Sequence, residues 1–285
     1  MSLTKKIDFA VVFKVKNANP NGDPLNGNRP RATYDGFGEM SDVCIKRKIR
    51  DRLLEMGIPI FVQSDDRKID DCVSLRARAD SVLAGKKSAK EKAGLACKTW
   101  FDVRSFGQLF AFKAAGGAKD RAKEGDEEKD DKSVSIGIRG PVSVHPAFSL
   151  LPVSVTSSQI TKSVSGEGDG KKRSSDTMGM KHRVDQGTYV FFGSMNPQLA
   201  VKTGFSDEDA ETIKVVLPKI FENDASSARP EGSMEVLKVI WWQHSSPNGQ
   251  VSSAKVHRSL QVAEDGSISF DKLGNGPSPE IIPGF

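Results

Sequence analysis

An α+β fold built on an antiparallel sheet is predicted by three features of this 285-residue sequence. Segments with strand and helix periodicity follow one another as strand, helix, strand, long insertions, strands, helix, strand. The first strand-like segment alternates apolar and polar residues, the signature of a sheet with one buried face. Two charged, polar insertions interrupt the pattern without any internal repeat, so residues 1–285 read as one core domain carrying insertions. A ferredoxin-like or RRM-like sheet backed by helices fits this order.

In Ile7–Lys16, Phe9, Val11, Phe13 and Val15 share one face while Lys14 and Lys16 emerge on the other. This predicts a half-buried sheet with a basic outer face. Residues 17–31 are dense in Asn, Gly and Pro, which rules out helix or central strand. A helix begins near Ser41, whose hydroxyl can cap the first-turn amides, and Ile45, Ile49 and Leu53 form its apolar stripe. Gly57 and Pro59 stop it, and Ile58–Val62 reads as a short strand. Residues 65–98 are helical in patches. Trp100 to Phe112 regains core quality through Phe101, Val103, Phe106, Leu109 and Phe110. Residues 113–132 carry too little apolar surface to offset the cost of ordering and are expected to form a mobile charged loop. Strand character returns at 133–144 and 150–155, around His145-Pro146. A second charged insertion covers 163–176, and strand resumes at Thr188–Phe192. A helix runs from about Ser206 to Phe221, with Asp207, Glu208 and Asp209 in its favourable first turn. Val236–Trp242 is a strong strand, and the tail from Gly274 is Gly- and Pro-rich and irregular.

Apolar residues make up 37% and charged residues 28%, which suits a soluble protein with long polar loops. The net charge of +5 and pI near 9.0 admit a polyanionic partner without demanding one. Cys44, Cys72 and Cys97 show no CxxC spacing, so neither a zinc site nor a disulfide framework is indicated. Reduced thiols, the lack of an apolar signal core and the lack of a membrane-spanning stretch place the expected protein in the cytoplasm, without a membrane partner.

Four segments carry candidate binding chemistry. Lys46 and Arg50 lie four apart on a helix with Arg47 beside them, placed to neutralise successive phosphates. A solvated charged face is the alternative, weakened because only Asp51 and Glu55 follow five bases. The 17–31 loop can bring backbone N–H groups, the amides of Asn19 and Asn21, and the charges of Arg29 and Arg31 to a phosphate; an ordinary surface loop is the alternative. No GKS or GKT follows, so it is not a P-loop, and Asp23 reads better as an exposed turn residue than as a metal ligand. Gly137–Pro141 can admit a nucleic-acid backbone with Arg139 on a phosphate, or can simply bend before a strand. The segment 163–192 carries Lys171, Lys172 and Arg173, then Met178, Met180, Lys181, His182 and Arg183. Flexible methionines among bases suit packing on nucleobases; the plain alternative is a polar loop returning to the core. The four histidines have no metal-binding spacing, and no nucleophile elbow or carboxylate pair is present. The sequence therefore predicts no enzyme, no cofactor and no metal.

Five motifs, in order, carry a resemblance: Asn19-Pro-Asn-Gly-Asp-Pro24, Ile45-Lys-Arg-Lys-Ile-Arg50, Asp102-Val-Arg-Ser-Phe-Gly107, Gly137-Ile-Arg-Gly-Pro-Val142 and Thr177-Met-Gly-Met-Lys-His182. Together, over about residues 7–197, they resemble the backbone subunit of type I-C CRISPR Cascade complexes, of the Cas-seven family in the RAMP superfamily. The resemblance implies an RRM-like palm, helical fingers at 65–98 and an extended thumb at 156–183. It implies copies stacked along one CRISPR RNA, each thumb displacing a nucleotide and leaving the bases between to pair with a target DNA strand in antiviral defence. Implied partners are other copies, the large and small Cascade subunits and the Cas-five-type subunit. Lys46 and Arg50 match phosphate contacts of the family, so replacing both with Ala is expected to lower RNA affinity and flatten its salt dependence. Val142 stands where some relatives place a methionine against a base. Type III relatives cut target RNA with an aspartate after the first strand, near Asp23 and Asp35 here, which supplies an alternative reading as a metal-dependent endonuclease. Type I backbones are not nucleases.

Overall fold

β1 (Ile7–Ala18) is the centre of the sheet in the computed structural model, which describes residues 1–86, 88–111, 135–161 and 178–285. A small hairpin follows, β2 (Gly22–Asp23) and β3 (Arg29–Pro30), around a 3-10 turn at Pro24–Asn26. Next come β4 (Phe37–Met40), helices α1 (Asp42–Glu55), α2 (Leu75–Leu83), α3 (Ala89–Thr99) and α4 (Phe101–Phe106), then β5 (Gly107–Ala111) and β6 (Ser135–Arg139). β7 (Val142–Val144), β8 (Ala147–Pro152) and β9 (Val155–Thr161) precede the 18-residue β10 (Met178–Met195). The chain ends with α5 (Pro197–Thr203), α6 (Asp207–Val216), β11 (Met234–Gln243), α7 (Ser253–Ser259), β12 (Leu260–Val262), β13 (Ile268–Phe270) and β14 (Pro279–Pro283). The main sheet has the order β14-β11-β1-β10-β8-β4, with β7 and β9 also on β10, and its pairings are antiparallel. The protein is thus a mixed α+β fold around a large antiparallel sheet.

The apolar face expected of β1 is there: Phe9, Val11, Phe13 and Val15 are buried with Ile45, Ile49 and Leu53 of α1 and Ile213 and Val216 of α6. The other face is not the open basic surface the alternation predicts. Ala10 and Val12 are buried too, in a separate cluster with Ile240, Trp242, Val256 and Leu260 beneath α7 and β12. Only at Lys14 and Lys16 does this face reach solvent. The covering helix is short and carries one buried apolar residue, Val256, too little periodicity to be read.

Asp8 is fully buried on that covered face. Its Oδ2 stands 2.9 Å from His244 Nε2, while His244 Nδ1 accepts from the Gln250 amide at 2.9 Å. The imidazole therefore presents Nε2–H to the carboxylate and uses Nδ1 as the acceptor. Burial pushes the Asp8 carboxyl up, but the His244 bond and its other donors outweigh that and hold it well below the usual carboxylate range. Its native pKa lies below its unfolded one, so the stability it contributes is present above about pH 4 and is lost as pH falls below that. Asp8→Asn is expected to flatten the acid limb of Tm against pH by circular dichroism; an acid limb as steep as the parent's would contradict this role.

Ile58–Val62 is not a strand. Pro59 accepts from Phe101 N–H, and the amides of Phe61 and Val62 donate to the Asp102 carboxylate at 2.7 and 3.0 Å, so α4 takes the groups a strand partner would need. The helix at 206 ends at Val216 and tightens into a 3-10 turn at Leu217–Lys219, where Pro218 has no amide to continue it. The tail from Gly274 is not wholly irregular, since β14 pairs with β11 and its prolines sit at the ends of an edge strand. Strand β10 starts at Met178, ten residues before the expected Thr188. Helices α2 and α3 pack on β5 and β6 through a second core of Phe61, Leu83, Ala96, Trp100, Phe110 and Ile136, while Leu109 of the same strand is exposed. The charged loop expected at 113–132 and the insertion at 163–176 lie outside the described residues.

Candidate nucleic-acid interface

The basic helix is the first candidate, and α1 uses its charges internally. Lys46 Nζ pairs with Asp42 at 2.9 Å, and Arg47 pairs with Asp51 at 3.0 Å and reaches Asp66. Lys48 binds Asp224, and Arg52 Nη2 binds Glu55 at 2.6 Å. Arg50 Nε donates to Asp102 at 2.9 Å, with side-chain exposures of 13% and 1%, and its guanidinium lies over the Phe106 ring. The scarcity of acids that favoured a phosphate contact is a property of the local sequence alone. Asp102 and Asp224 come from far along the chain, and Asp42 sits at the start of the same helix. Arg50 is thus engaged within the fold through its Nε.

The 17–31 loop is likewise occupied with its own fold. Asn19 is buried and donates to the Asn28 carbonyl at 2.8 Å. Asn21 Oδ1 accepts from the Ser41 amide and hydroxyl, fastening the loop to the cap of α1. Asp23 accepts from the Leu25 amide, and Arg31 Nη2 lies 3.8 Å from Asp23; Arg29 is half-buried. These amides hold the loop rather than offering it. Gly140 is needed where β6 meets α4, because a side chain there would fall on the backbone of Ser105 and Gly107. The bend is thus a close approach of the chain to itself. Arg139, beside it, is exposed. Val142 is 4% exposed in the main core, so it has no surface to offer a base.

Besides Arg139, the described candidate residues that face solvent lie on a two-stranded ribbon and in the groove at its root. β9 pairs with the first half of β10 from Met178↔Thr161 to Val184↔Val155, and both faces are largely exposed. Strand alternation puts Met178, Met180 and His182 on one face with Thr161, Gln159 and Ser157, and Lys181 and Arg183 on the other with Ser158 and Thr156. Met178, Met180 and Ile160 are 68%, 56% and 50% exposed. His182 Nδ1 lies 2.8 Å from Ser157 Oγ, and Arg183 lies 3.8 Å from Asp185, which also accepts from Thr156 at 2.7 Å. A two-stranded ribbon is marginal alone, so its order comes from β10 continuing into the sheet. Lys171, Lys172 and Arg173 lie outside the described residues.

The groove is about 530 Å³ and is lined by Lys14, Lys16, Leu151, Gln186, Thr188 and Glu264, among others. Lys14 pairs across the strands with Thr188 and Lys16 with Gln186. The cationic side is thus β1 and the hydrogen-bonding side β10, directly below the ribbon. Sequence reading found both lysines but missed Ile160, Gln186 and Glu264. The Ser/Thr-rich β9 gave no apolar alternation, and Glu264 arrives on the β12–β13 turn. Exposed apolar side chains on the ribbon can pack on bases while the groove's lysines meet phosphates. Among the described residues no three His, Cys, Asp or Glu side chains gather as a metal site.

Among solved structures, a chain of "CRISPR RNA-guided surveillance complex, pre-nicking" matches with TM-score 0.42 and 15% identity, covering 83% of this chain and 77% of that one. A chain of "Cryo-EM structure of the Type III-B Cmr-beta bound to cognate target RNA" matches with TM-score 0.42 and 11% identity, over 82% of this chain and 60% of that one. A "CRISPR-associated protein Cas7" of Haloferax volcanii is 27% identical over 278 residues, 95% of this chain and 79% of the relative. Residues 5–274 match the family described as "CRISPR-associated protein Cas7". With nearly the whole chain inside that match, the protein belongs to the Cas7 family of CRISPR-associated proteins.

Proposed function

We propose that this chain is the CRISPR RNA-binding backbone subunit of a type I-C Cascade complex, polymerising along the guide and presenting its bases to a target DNA strand. The observation that carries this is the ribbon, which exposes Met178 and Met180 on one face and Ile160 on the other and continues into the groove that holds Lys14 and Lys16. Exposed methionines on a polar ribbon suit insertion beside a base, and lysines at its root suit phosphates. The five ordered motifs support the type I-C assignment. In this reading the main sheet is an RRM-like palm, α2 and α3 are the finger, and the ribbon belongs to the thumb. Other copies, the large, small and Cas-five-type subunits, guide RNA and target DNA are the partners, in the cytoplasm.

The subunit holds RNA and does not cut it. Asp23 supports this, since its carboxylate serves the Leu25 amide and faces Arg31. With guide RNA, a labelled complementary RNA and Mg²⁺, the expected outcome is intact target after prolonged incubation. Fragments at regular spacing, lost in Asp23→Asn or Asp35→Asn, would establish the type III-like endonuclease instead.

A further inference from the structure

We infer that a second cleft, on the α7 side of the sheet, binds the phosphate backbone of a nucleic-acid strand other than the one in the ribbon groove. This rests on the reading of the chain as a guide-binding subunit. The cleft, about 320 Å³, lies between α7 and the segment after β13, and Lys255, Arg258 and Lys272 line it. Lys255 and Arg258 are three apart and so share a helix face. Lys272 is brought to them by a fixed backbone contact, the Asp271 amide donating to the Ser259 carbonyl at 2.8 Å. Val256, fully buried between them, anchors the helix to the sheet. The cations are therefore held on a rigid frame.

None of the three has an acidic partner among the described residues, whereas every base of α1 has one. The one acid in the cleft, Asp271, accepts from Gln261 Nε2 at 3.2 Å. Val251 and Leu273 add an apolar floor suited to a sugar ring. Three unpaired cations around a shallow cleft fit a chain of phosphates, with Arg able to engage one bidentately.

The strand is a separate one because the hairpin segregates charge. Glu264 and Asp265 sit at the β12–β13 turn, by the groove, while the three bases sit at its open end. The hairpin's paired strands span roughly 10 Å. A phosphate chain running from one cleft to the other would cross those two acids.

The test uses the full chain loaded with guide RNA, and titrates in a labelled single-stranded DNA with no complementarity to the guide, by anisotropy over a range of salt. Lys255→Ala, Arg258→Ala and Lys272→Ala together are expected to lower the slope of log affinity against log salt by about 2, at about 0.7 per single-strand phosphate contact. Guide retention and Tm should be unchanged, since all three side chains are exposed. Asp271→Asn, which keeps the acceptor for Gln261, should tighten DNA binding severalfold. An unaltered slope in the triple variant, or no DNA binding by guide-loaded protein, overturns the proposal. So does binding of polyglutamate in place of DNA, which would assign the cleft to an acidic protein segment, or loss of guide from the triple variant. Failure of the functional reading itself looks different: the unaltered chain would then retain no RNA at all.

Discussion

Arg50→Ala is expected to destabilise the protein by about 3–5 kcal/mol, the range for removing one partner of a buried ion pair. Arg50 and Asp102 form the contact that ties α1 to α4, and Asp102 also receives the Phe61 and Val62 amides. Removing the guanidinium leaves a carboxylate in the interior with amide donors alone and strips a cation from the Phe106 face. Arg50→Lys should recover only part of the loss, because an ammonium keeps the charge but not the planar fork or the stacking. Urea denaturation checks the size of the effect. RNA affinity of the folded variant should stay within about twofold of the parent, because the side chain presents almost no surface to a ligand.

The ribbon should behave in the opposite way. Met178→Ser with Met180→Ser is expected to leave stability unchanged, because both side chains are more than half exposed. Guide RNA affinity should fall roughly thirtyfold if each methionine gains about 1 kcal/mol by packing on a base, well inside the range for burying such a side chain. No charge is removed, so the salt slope should hold. Lys181→Ala with Arg183→Ala should show the complementary signature, a slope shallower by about 1.4 for two lost contacts. Gel shift against salt separates the two.

The strands and helices with strong local signals were legible: the alternation of Phe9, Val11, Phe13 and Val15 and the Val236–Trp242 run lie inside observed strands, and Ser41 and Ser206 cap observed helices. What failed depended on partners distant in sequence. Ile58–Val62 has strand composition, but its amides are claimed by Asp102, some forty residues on. The open face of β1 is covered by a helix whose one buried apolar residue gives no period. The interface shows the same division. Met178, Met180 and His182 were legible as candidate residues by type, but the strand that sets them on one face begins ten residues before the Thr188 at which strand was expected. The ion pairs of α1 could not be read, because Asp102 and Asp224 meet Arg50 and Lys48 only after folding. An excess of local charge is therefore poor evidence of a phosphate site unless the chain's other acids are placed as well.

The central claim is that guide RNA is held by the ribbon and the groove at its root, and not by the basic helix. Its most direct test is guide RNA affinity against salt for three proteins side by side: the parent, the Met178→Ser/Met180→Ser variant with Lys14→Ala and Lys16→Ala added, and Lys46→Ala/Arg50→Ala. The account predicts a large loss of affinity and a shallower slope for the ribbon and groove variant. It predicts a slope unchanged from the parent for whatever fraction of the helix variant remains folded. A helix variant that folds normally yet loses the salt dependence, beside a ribbon variant that binds as the parent does, would contradict it.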